Sequence, residues 1–158
     1  MRAPVLSLIA LTSLLVPGAA ALAHGKHASQ TVTPALEQRP APRDAPATTT
    51  KVSVESLGSL DLSREFAALQ GRMLRTRRIK IAPGGSVAWH QHQQRPGVAY
   101  LINGSLIEIR DDGTGVRAIR RNAGEAVFES TGVLHGWRNV SNQPATAVVI
   151  DLVPQTQP

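Results

Sequence analysis

The stretch W-H-Q-H-Q-Q-R-P-G-V-A-Y-L-I-N-G, from Trp89 to Gly104, decides how this sequence is interpreted. It places two of the five histidines of the chain, His90 and His92, one residue apart between an apolar run and a glycine turn. In a β-strand, side chains alternate between two faces, so both imidazoles would project from the same face and could share a ligand. A metal ion is the first candidate. Two solvated histidines are the commoner explanation of H-x-H alone, because two ligands do not make a metal site.

The N-terminal residues 1–23 are typical of a secretory signal peptide. They contain one charge, Arg2, then an apolar run over residues 5–16, a Pro17-Gly18 break and a small-x-small sequence ending at Ala23. The alternative is an uncleaved anchor, but the run before Pro17 is shorter than the roughly 20 residues that a span needs. We expect cleavage near Ala23, no stable membrane span and a periplasmic or secreted protein.

Residues 24–50 predict a disordered arm, because 14 of these 27 residues are Ala, Pro or Thr and no apolar periodicity is present. The arm contains His24 and His27, which with a new N-terminal amine could chelate copper. A flexible arm would hold no third ligand in place, so a tether is the favoured interpretation. The folded domain is then expected over residues 51–158.

The charge of the chain is +6, or +5 once Arg2 leaves with the leader. Basic chains invite a nucleic-acid interpretation, but the positive residues are dispersed and no helix-turn-helix or zinc-finger spacing occurs. We therefore expect no nucleic-acid partner. The absence of cysteine excludes disulfides and lipid attachment through a cysteine, so the domain must depend on its own core.

From Lys51 onward, short runs of Val, Ile, Leu and aromatic residues alternate with Gly, Pro, Asn or Asp, which is typical of an all-β sandwich or barrel. Turns are expected at Pro83-Gly84-Gly85, Asn103-Gly104 and Asp112-Gly113. A short helical turn is expected within residues 62–69. The predicted strands cover residues 52–56, 73–81, 87–92, 98–102, 105–110, 116–120, 126–129, 134–140 and 146–153.

A second stretch, G-E-A-V-F-E-S-T-G-V-L-H-G-W-R-N from Gly124 to Asn139, pairs with the first. Together they resemble the two sequence motifs of the cupin superfamily. Eight positions match in register: Gly84, His90, His92 and Gly104 in the first motif, and Gly124, Gly132, His135 and Asn139 in the second. Two positions depart, because Gly97 stands where the first motif has a glutamate and Ser130 where the second has a proline.

The resemblance implies a single cupin β-barrel of jelly-roll type, a homodimer, and one divalent metal ion bound by His90, His92 and His135. Three neutral imidazoles suit Fe, Mn, Zn, Ni or Cu, and the sequence does not choose among them. Without the glutamate the ion would keep its full +2 charge and attract anions more strongly, with a coordination position left open at Gly97. Gln93 and Gln94 are nearby amides expected to face water, and Glu108 is expected to lie outward between Ile107 and Ile109.

Two arginines are candidates for substrate binding. Arg75 and Arg77 share a strand face with Ile79 and Ile81, so they point inward if the isoleucines do, and buried arginines need anionic partners. The alternative is that both lie outside. Trp89 and Trp137 flank the predicted ligands, and packing on the outer face is favoured for them over stacking on substrate.

Two functions remain open at this point. One is a metalloenzyme acting on a small, anionic molecule, with oxygenase- or isomerase-like chemistry, since cupins include dioxygenases, isomerases and decarboxylases. The other is a binding or sensing module that captures a metal or small ligand without turnover. A barrel that no longer binds metal is a weaker third. The fold does not select among them, and no catalytic residue is identified.

Overall fold

The computed structural model describes residues 40–155 of the chain. This part contains eight strands and two short 3₁₀ helices, Leu62–Arg64 and Ala67–Leu69, which confirm the predicted helical turn. The predicted all-β fold is therefore correct. In chain order the strands are β1 (Thr50–Asp61), β2 (Arg72–Gln91), β3 (Gly97–Asn103), β4 (Ser105–Asp111), β5 (Val116–Asn122), β6 (Ala126–Glu129), β7 (Leu134–Arg138) and β8 (Ala145–Pro154).

All strand pairs are antiparallel, and they join into one curled sheet in the order β5-β4-β7-β2-β8-β3-β6, with β1 also paired to β2. The long strand β2 belongs to both halves. Its first part, up to Ile81, pairs with β1 and β8, and its second part, from Ser86, pairs with β7. Since β2 is shared, the two halves of the sheet can face each other across one core.

The Pro83-Gly84-Gly85 segment bends β2 instead of ending it. Two predicted strands, residues 73–81 and 87–92, are thus one 20-residue strand, and the turn predicted between them is wrong. Gly84 adopts a positive φ of 68°, which glycine tolerates readily, and its N–H donates to the Asn139 carbonyl at 2.9 Å. The bend is therefore supported by hydrogen bonds from outside the strand.

The core lies between the two halves of the sheet. Ile81, Leu101 and Val149 come from one half, Leu106 and Trp137 come from the other, and all belong to one buried cluster. The second-motif asparagine is part of this scaffold: Asn139 is buried, and its side-chain amide donates to the carbonyls of Ile81 and Gln143. The motif therefore fixes β7 against β2 through a structural hydrogen bond.

Part of the predicted disordered arm is packed on the sheet, so its predicted boundary at residue 50 is wrong. Ala45 and Pro46 are buried, and the Pro46 carbonyl accepts a hydrogen bond of 2.8 Å from the Trp89 N–H. The Thr49 hydroxyl accepts from the Ala88 N–H at 3.0 Å. The predicted leader, His24 and His27 lie outside the described residues. Within residues 40–155, no helix has the length and hydrophobicity needed to cross a membrane.

Candidate metal centre

Antiparallel pairing of β2 with β7 brings the three predicted ligands together. His90 lies directly opposite His135 in the register of these strands, and His92 follows immediately after the end of β2. One nitrogen from each imidazole falls within 4.8 Å of the others. Histidines that are far apart in the chain therefore meet at one point of the fold, as the spacing of the two motifs predicts.

The nitrogens that face each other are the three Nε2 atoms. His92 Nε2 lies 3.0 Å from His90 Nε2 and 3.2 Å from His135 Nε2. Nitrogens bound at about 2.0–2.1 Å to one ion, at angles between octahedral and tetrahedral values, are separated by about 2.8–3.4 Å. Both distances from His92 fall in this range.

The opposite nitrogens fix the tautomer of each ring. His90 Nδ1 lies 2.8 Å from the Ala88 carbonyl, and His92 Nδ1 lies 3.2 Å from the Arg95 carbonyl. Carbonyl oxygens only accept, so both Nδ1 atoms must donate. His135 Nδ1 donates to the Glu108 carboxylate at 2.9 Å. In neutral rings, therefore, three unprotonated Nε2 lone pairs converge, an arrangement that a cation satisfies.

Burial keeps two of these rings neutral. Burial, together with the neighbouring His135, lowers the pKa of His90 to about 4 and the pKa of His92 to about 3. A metal ligand must be the neutral imidazole. His90 and His92 are consequently ready to bind a cation at neutral pH without first losing a proton.

Glu108 corrects an expectation from the sequence, because it points into the core and not into solvent. It is fully buried and accepts from His135, Arg110 and Arg121. Burial alone would raise the pKa of Glu108, but the hydrogen bonds from His135 and the two arginines outweigh it and lower the pKa to about 2. The ionised carboxylate therefore orients His135 from behind, as carboxylates commonly do for metal-binding histidines.

A second buried carboxylate, Glu129 at the end of β6, was not found from the sequence. Its Oε1 lies 3.6 Å from His135 Nε2, its Oε2 lies 3.3 Å from His92 Nδ1, and burial raises its pKa. The alternation of side chains in β6 could have identified Glu129 from the sequence. Val127 is buried in the core, and Glu129, two residues later, must share its face.

The residue at the glutamate position of the first motif, Gly97, is pressed against β8. A Cβ atom there would lie 2.8 Å from the Ile150 carbonyl oxygen and 2.9 Å from Asp151 Cβ. A side chain at position 97 therefore requires the backbone to move. Across the other strand, Gly97 pairs with Glu129, so the side on which an open position was expected carries a carboxylate from the neighbouring strand.

Beside Gly97, the carboxylate of Asp151 forms ion pairs with three arginines. Arg75 Nη2 lies 2.8 Å from its Oδ2, Arg77 Nη2 lies 2.9 Å from it, and Arg95 Nη1 lies 3.5 Å from it. Arg77 lines the same cavity as Ile79 and Ile81, whereas Arg75 does not. The anionic partner of Arg77 is thus a protein group, the carboxylate of Asp151. The carboxylates of Asp151 and Glu129 face three arginines, so the cluster retains an excess of positive charge.

The neighbouring side chains divide between the core and solvent. Trp137 packs in the core, with its ring centre 5.5 Å from that of His135, so the expected outer-face packing is wrong for this residue. Trp89 does not line the cavity beside the histidines. Gln93 and Gln94 are exposed, as expected, and Gln94 contacts Arg72 instead of the histidines.

A cavity of about 300 Å³ opens beside the histidines. Its walls are mainly apolar, with polar groups at one side contributed by His90, His92, Arg77, Arg95 and Glu129. Ligand sites commonly combine such an apolar lining with a few convergent polar groups. The cavity has the size and chemistry for a small molecule that contacts both the metal ligands and the arginines.

Comparisons with known proteins agree with this architecture. Residues 77–151 match the family described as Cupin domain, a segment that contains both histidine motifs. The three histidines on the inner face of the antiparallel sheet form a group that could hold a metal ion. The chain therefore contains a cupin domain.

Individual relatives cover different parts of the chain. The tetracenomycin polyketide synthase protein TcmJ of Streptomyces glaucescens is 41% identical over 70 residues, which are 44% of this chain and 44% of that protein. The chain thus matches less than half the length of this curated relative.

Solved structures share the fold at low identity. The TT1209 protein of Thermus thermophilus has a TM-score of 0.52 and 21% identity, covering 70% of this chain and 90% of that one. The polyketide cyclase RemF of Streptomyces resistomycificus has a TM-score of 0.52 and 21% identity, covering 77% of this chain and 81% of that one. These likenesses support the barrel architecture.

Proposed function

We propose that this chain is a metal-dependent cupin enzyme that holds one divalent ion on His90, His92 and His135 and acts on a small molecule with an anionic group. The observation that carries the proposal is the convergence of three unprotonated Nε2 atoms beside an apolar cavity that His90 and His92 line. When bound, a divalent ion supplies Lewis-acid chemistry to an oxygen atom of the substrate. The protein residues supply the neutral ligands and their orientation.

The anionic group would be held by the arginines at the other end of the polar wall. Arg77 and Arg95 line the cavity, and Arg77 Nε is buried without a hydrogen-bond partner. A guanidinium offers a rigid fork that matches a carboxylate or another acidic oxygen pair. Asp151 neutralises only part of the cluster, so an anionic ligand would be attracted. Arg75 contacts Asp151 from outside this cavity and would support the cluster.

The apolar remainder of the cavity favours a ligand with a substantial carbon skeleton. Ile79, Leu101, Leu106 and Trp137 contribute to its walls. The identity shared with a polyketide synthase protein makes polyketide-like acids the first class to test. Small carboxylates and phenols form the second class, because they carry the same acidic oxygen on a smaller skeleton.

We also propose that the protein is exported and dimeric. Export is supported by the apolar run, the Pro17-Gly18 break and the small residues up to Ala23. A homodimer is supported by exposed apolar side chains on the outer face of β3, β6 and β8. N-terminal sequencing of exported material is expected to begin at His24, and intact chain in the membrane fraction would contradict export.

The decisive experiment measures metal content and turnover together. Full-length protein, dialysed against a weak chelator, is expected to retain one equivalent of a divalent ion, while His135→Ala loses affinity at least about tenfold. An unchanged metal content of His135→Ala would refute the proposed centre. Bound metal without turnover of any panel compound would favour the binding-module alternative.

The anion site has its own test. Arg77→Met is expected to weaken binding of the panel acids while the metal content stays at the wild-type value. Arg120→Met, on the exposed edge strand β5, is the matched control for loss of one positive charge. Equal losses in both variants would show that only the overall charge matters.

A further inference from the structure

Glu129 has the environment of a group that lacks its partner. The residue is 4% exposed, yet its Oε2 atom has no hydrogen-bond partner. Within residues 40–155, its carboxylate lies within ion-pair distance of His92 and His135 but of no lysine or arginine. A buried carboxylate oxygen without a hydrogen bond is costly, and such groups are normally paired or bound to a metal.

The carboxylate also lies at the correct place relative to the histidines. Glu129 Oε1 is 3.6 Å from His135 Nε2, the atom that faces the other imidazoles. Two ligand atoms at about 2.0–2.2 Å from one ion in tetrahedral geometry lie about 3.4 Å apart. A small shift therefore brings Glu129 to the ligand distance from an ion held by the three histidines.

The pairing of the strands explains why the carboxylate comes from β6. Gly97 is closely approached by β8, so β3 has no space for a side chain at this position. Glu129 is the direct neighbour of Gly97 across the β3–β6 ladder and points to the same interior. A carboxylate is therefore present on this side of the histidines, on the strand next to β3.

We infer that Glu129 is the fourth protein ligand of the metal centre and supplies the carboxylate that Gly97 does not. The inference rests on the proposed function, because it requires an ion on the three histidines. It changes the charge of the site. A divalent ion with three imidazoles and one carboxylate has a net charge of +1 instead of +2, so anion binding depends more on Arg77 and Arg95 than on the ion.

The test compares Co²⁺ binding by full-length wild type and Glu129→Gln, with Glu125→Gln as the control for loss of one partly exposed carboxylate in the preceding turn. Glu129→Gln is expected to reduce Co²⁺ affinity by about tenfold or more and to change the visible absorption spectrum of bound Co²⁺. The metal-free variant is expected to unfold at the same or a higher temperature than wild type, because a neutral amide costs less to bury than a carboxylate whose Oε2 has no hydrogen bond. Glu125→Gln is expected to leave affinity and spectrum unchanged.

The control variant His135→Ala distinguishes loss of the fourth ligand from loss of the whole three-histidine centre. If His135→Ala loses Co²⁺ while Glu129→Gln keeps the wild-type affinity and spectrum, this inference is overturned and the three-histidine centre stands. If wild type and His135→Ala both fail to bind Co²⁺ specifically, the proposed function and this inference fall together. Loss of affinity accompanied by a lower unfolding temperature of metal-free Glu129→Gln would indicate a structural carboxylate and would also overturn it.

Discussion

At the scale of single residues, the centre depends on how each imidazole is held from behind. Ala88 and Arg95 provide backbone carbonyls and Glu108 provides a carboxylate, and each accepts from one Nδ1. Hydrogen bonds of this kind set both the tautomer and the orientation of a ligand ring. The arrangement costs stability in the absence of a cation, because converging lone pairs are left without donors.

The pH dependence of the metal-free protein follows from these buried rings. In the unfolded chain His90 and His92 titrate near 6.5, whereas in the folded chain burial lowers their pKa to about 4 and about 3. Between these values the unfolded chain binds more protons, so the free energy of unfolding is expected to fall as the pH decreases from 6.5. Each histidine contributes a slope of up to about 1.4 kcal/mol per pH unit. Glu129, whose pKa is raised, opposes part of this trend.

Urea unfolding of chelator-treated protein at several pH values measures this slope. His92→Gln is the matched variant, because it removes one titrating ring while keeping a polar side chain, and its slope is expected to be smaller. A free energy of unfolding that stays constant from about pH 6.5 to about pH 4.5 would contradict neutral buried histidines in the folded state.

Individual residues differ in how well the sequence predicted them. The three histidines were predictable because strand alternation places His90 and His92 on one face and the spacing of the second motif adds His135. Glu108 was misassigned because Ile107 and Ile109 suggested the inner face, whereas Leu106 and Glu108 face the core. Strand β4 lies between β5 and β7, and its Ile109 is buried as well, so hydrophobicity does not distinguish its two faces.

At the scale of strands, β2 and β7 bring the histidines together, and β3 and β8 approach each other closely beside them at Gly97. Position 97 pairs with Asp151, whose carboxylate holds Arg75 and Arg77. Local sequence does not reveal this approach, because it depends on which strands become neighbours. The short strands and most turns were predictable from local alternation, whereas the continuity of β2 and the packing of residues 45–49 depend on distant partners.

Gly97→Ala tests the close approach. The added Cβ must displace the Ile150 carbonyl or Asp151, so we expect a loss of about 1–3 kcal/mol in the free energy of unfolding, as for overpacked sites. Anion binding is expected to weaken as well, because Asp151 organises the arginines. Val98→Ala alters the next residue of the same strand without adding atoms and is the control for general effects on β3.

The same geometry decides the expected result for Gly97→Glu, which would place the glutamate of the first motif at its usual position. If the strand tolerated this side chain, the variant would tighten metal binding. Since β8 occupies that space, we now expect it to destabilise the fold. A Gly97→Glu protein with wild-type stability and tighter metal binding would refute the close approach.

At the scale of the whole molecule, one outer face of the barrel is apolar. Tyr100, Phe128 and Ile150 are exposed large side chains of adjacent strands, and the register places Val98 opposite both Phe128 and Ile150. Contiguous exposed apolar patches commonly mark interfaces between proteins. Strand β6 also ends the order of the main sheet, which leaves its outer edge available for a symmetric contact.

Phe128→Glu tests whether this face forms the proposed homodimer. Phe128 is 71% exposed, so replacing it is expected to leave the folded unit intact while a charge on each copy opposes a symmetric interface. Light scattering is expected to give the dimer mass for wild type and the monomer mass for the variant.

Val116→Glu is the control, because Val116 is 50% exposed and lies on β5, at the other end of the sheet order. A wild-type protein at the monomer mass, or an undisturbed dimer in Phe128→Glu, would refute this interface. The site residues all point to the interior, so metal affinity is expected to be the same in both oligomeric states.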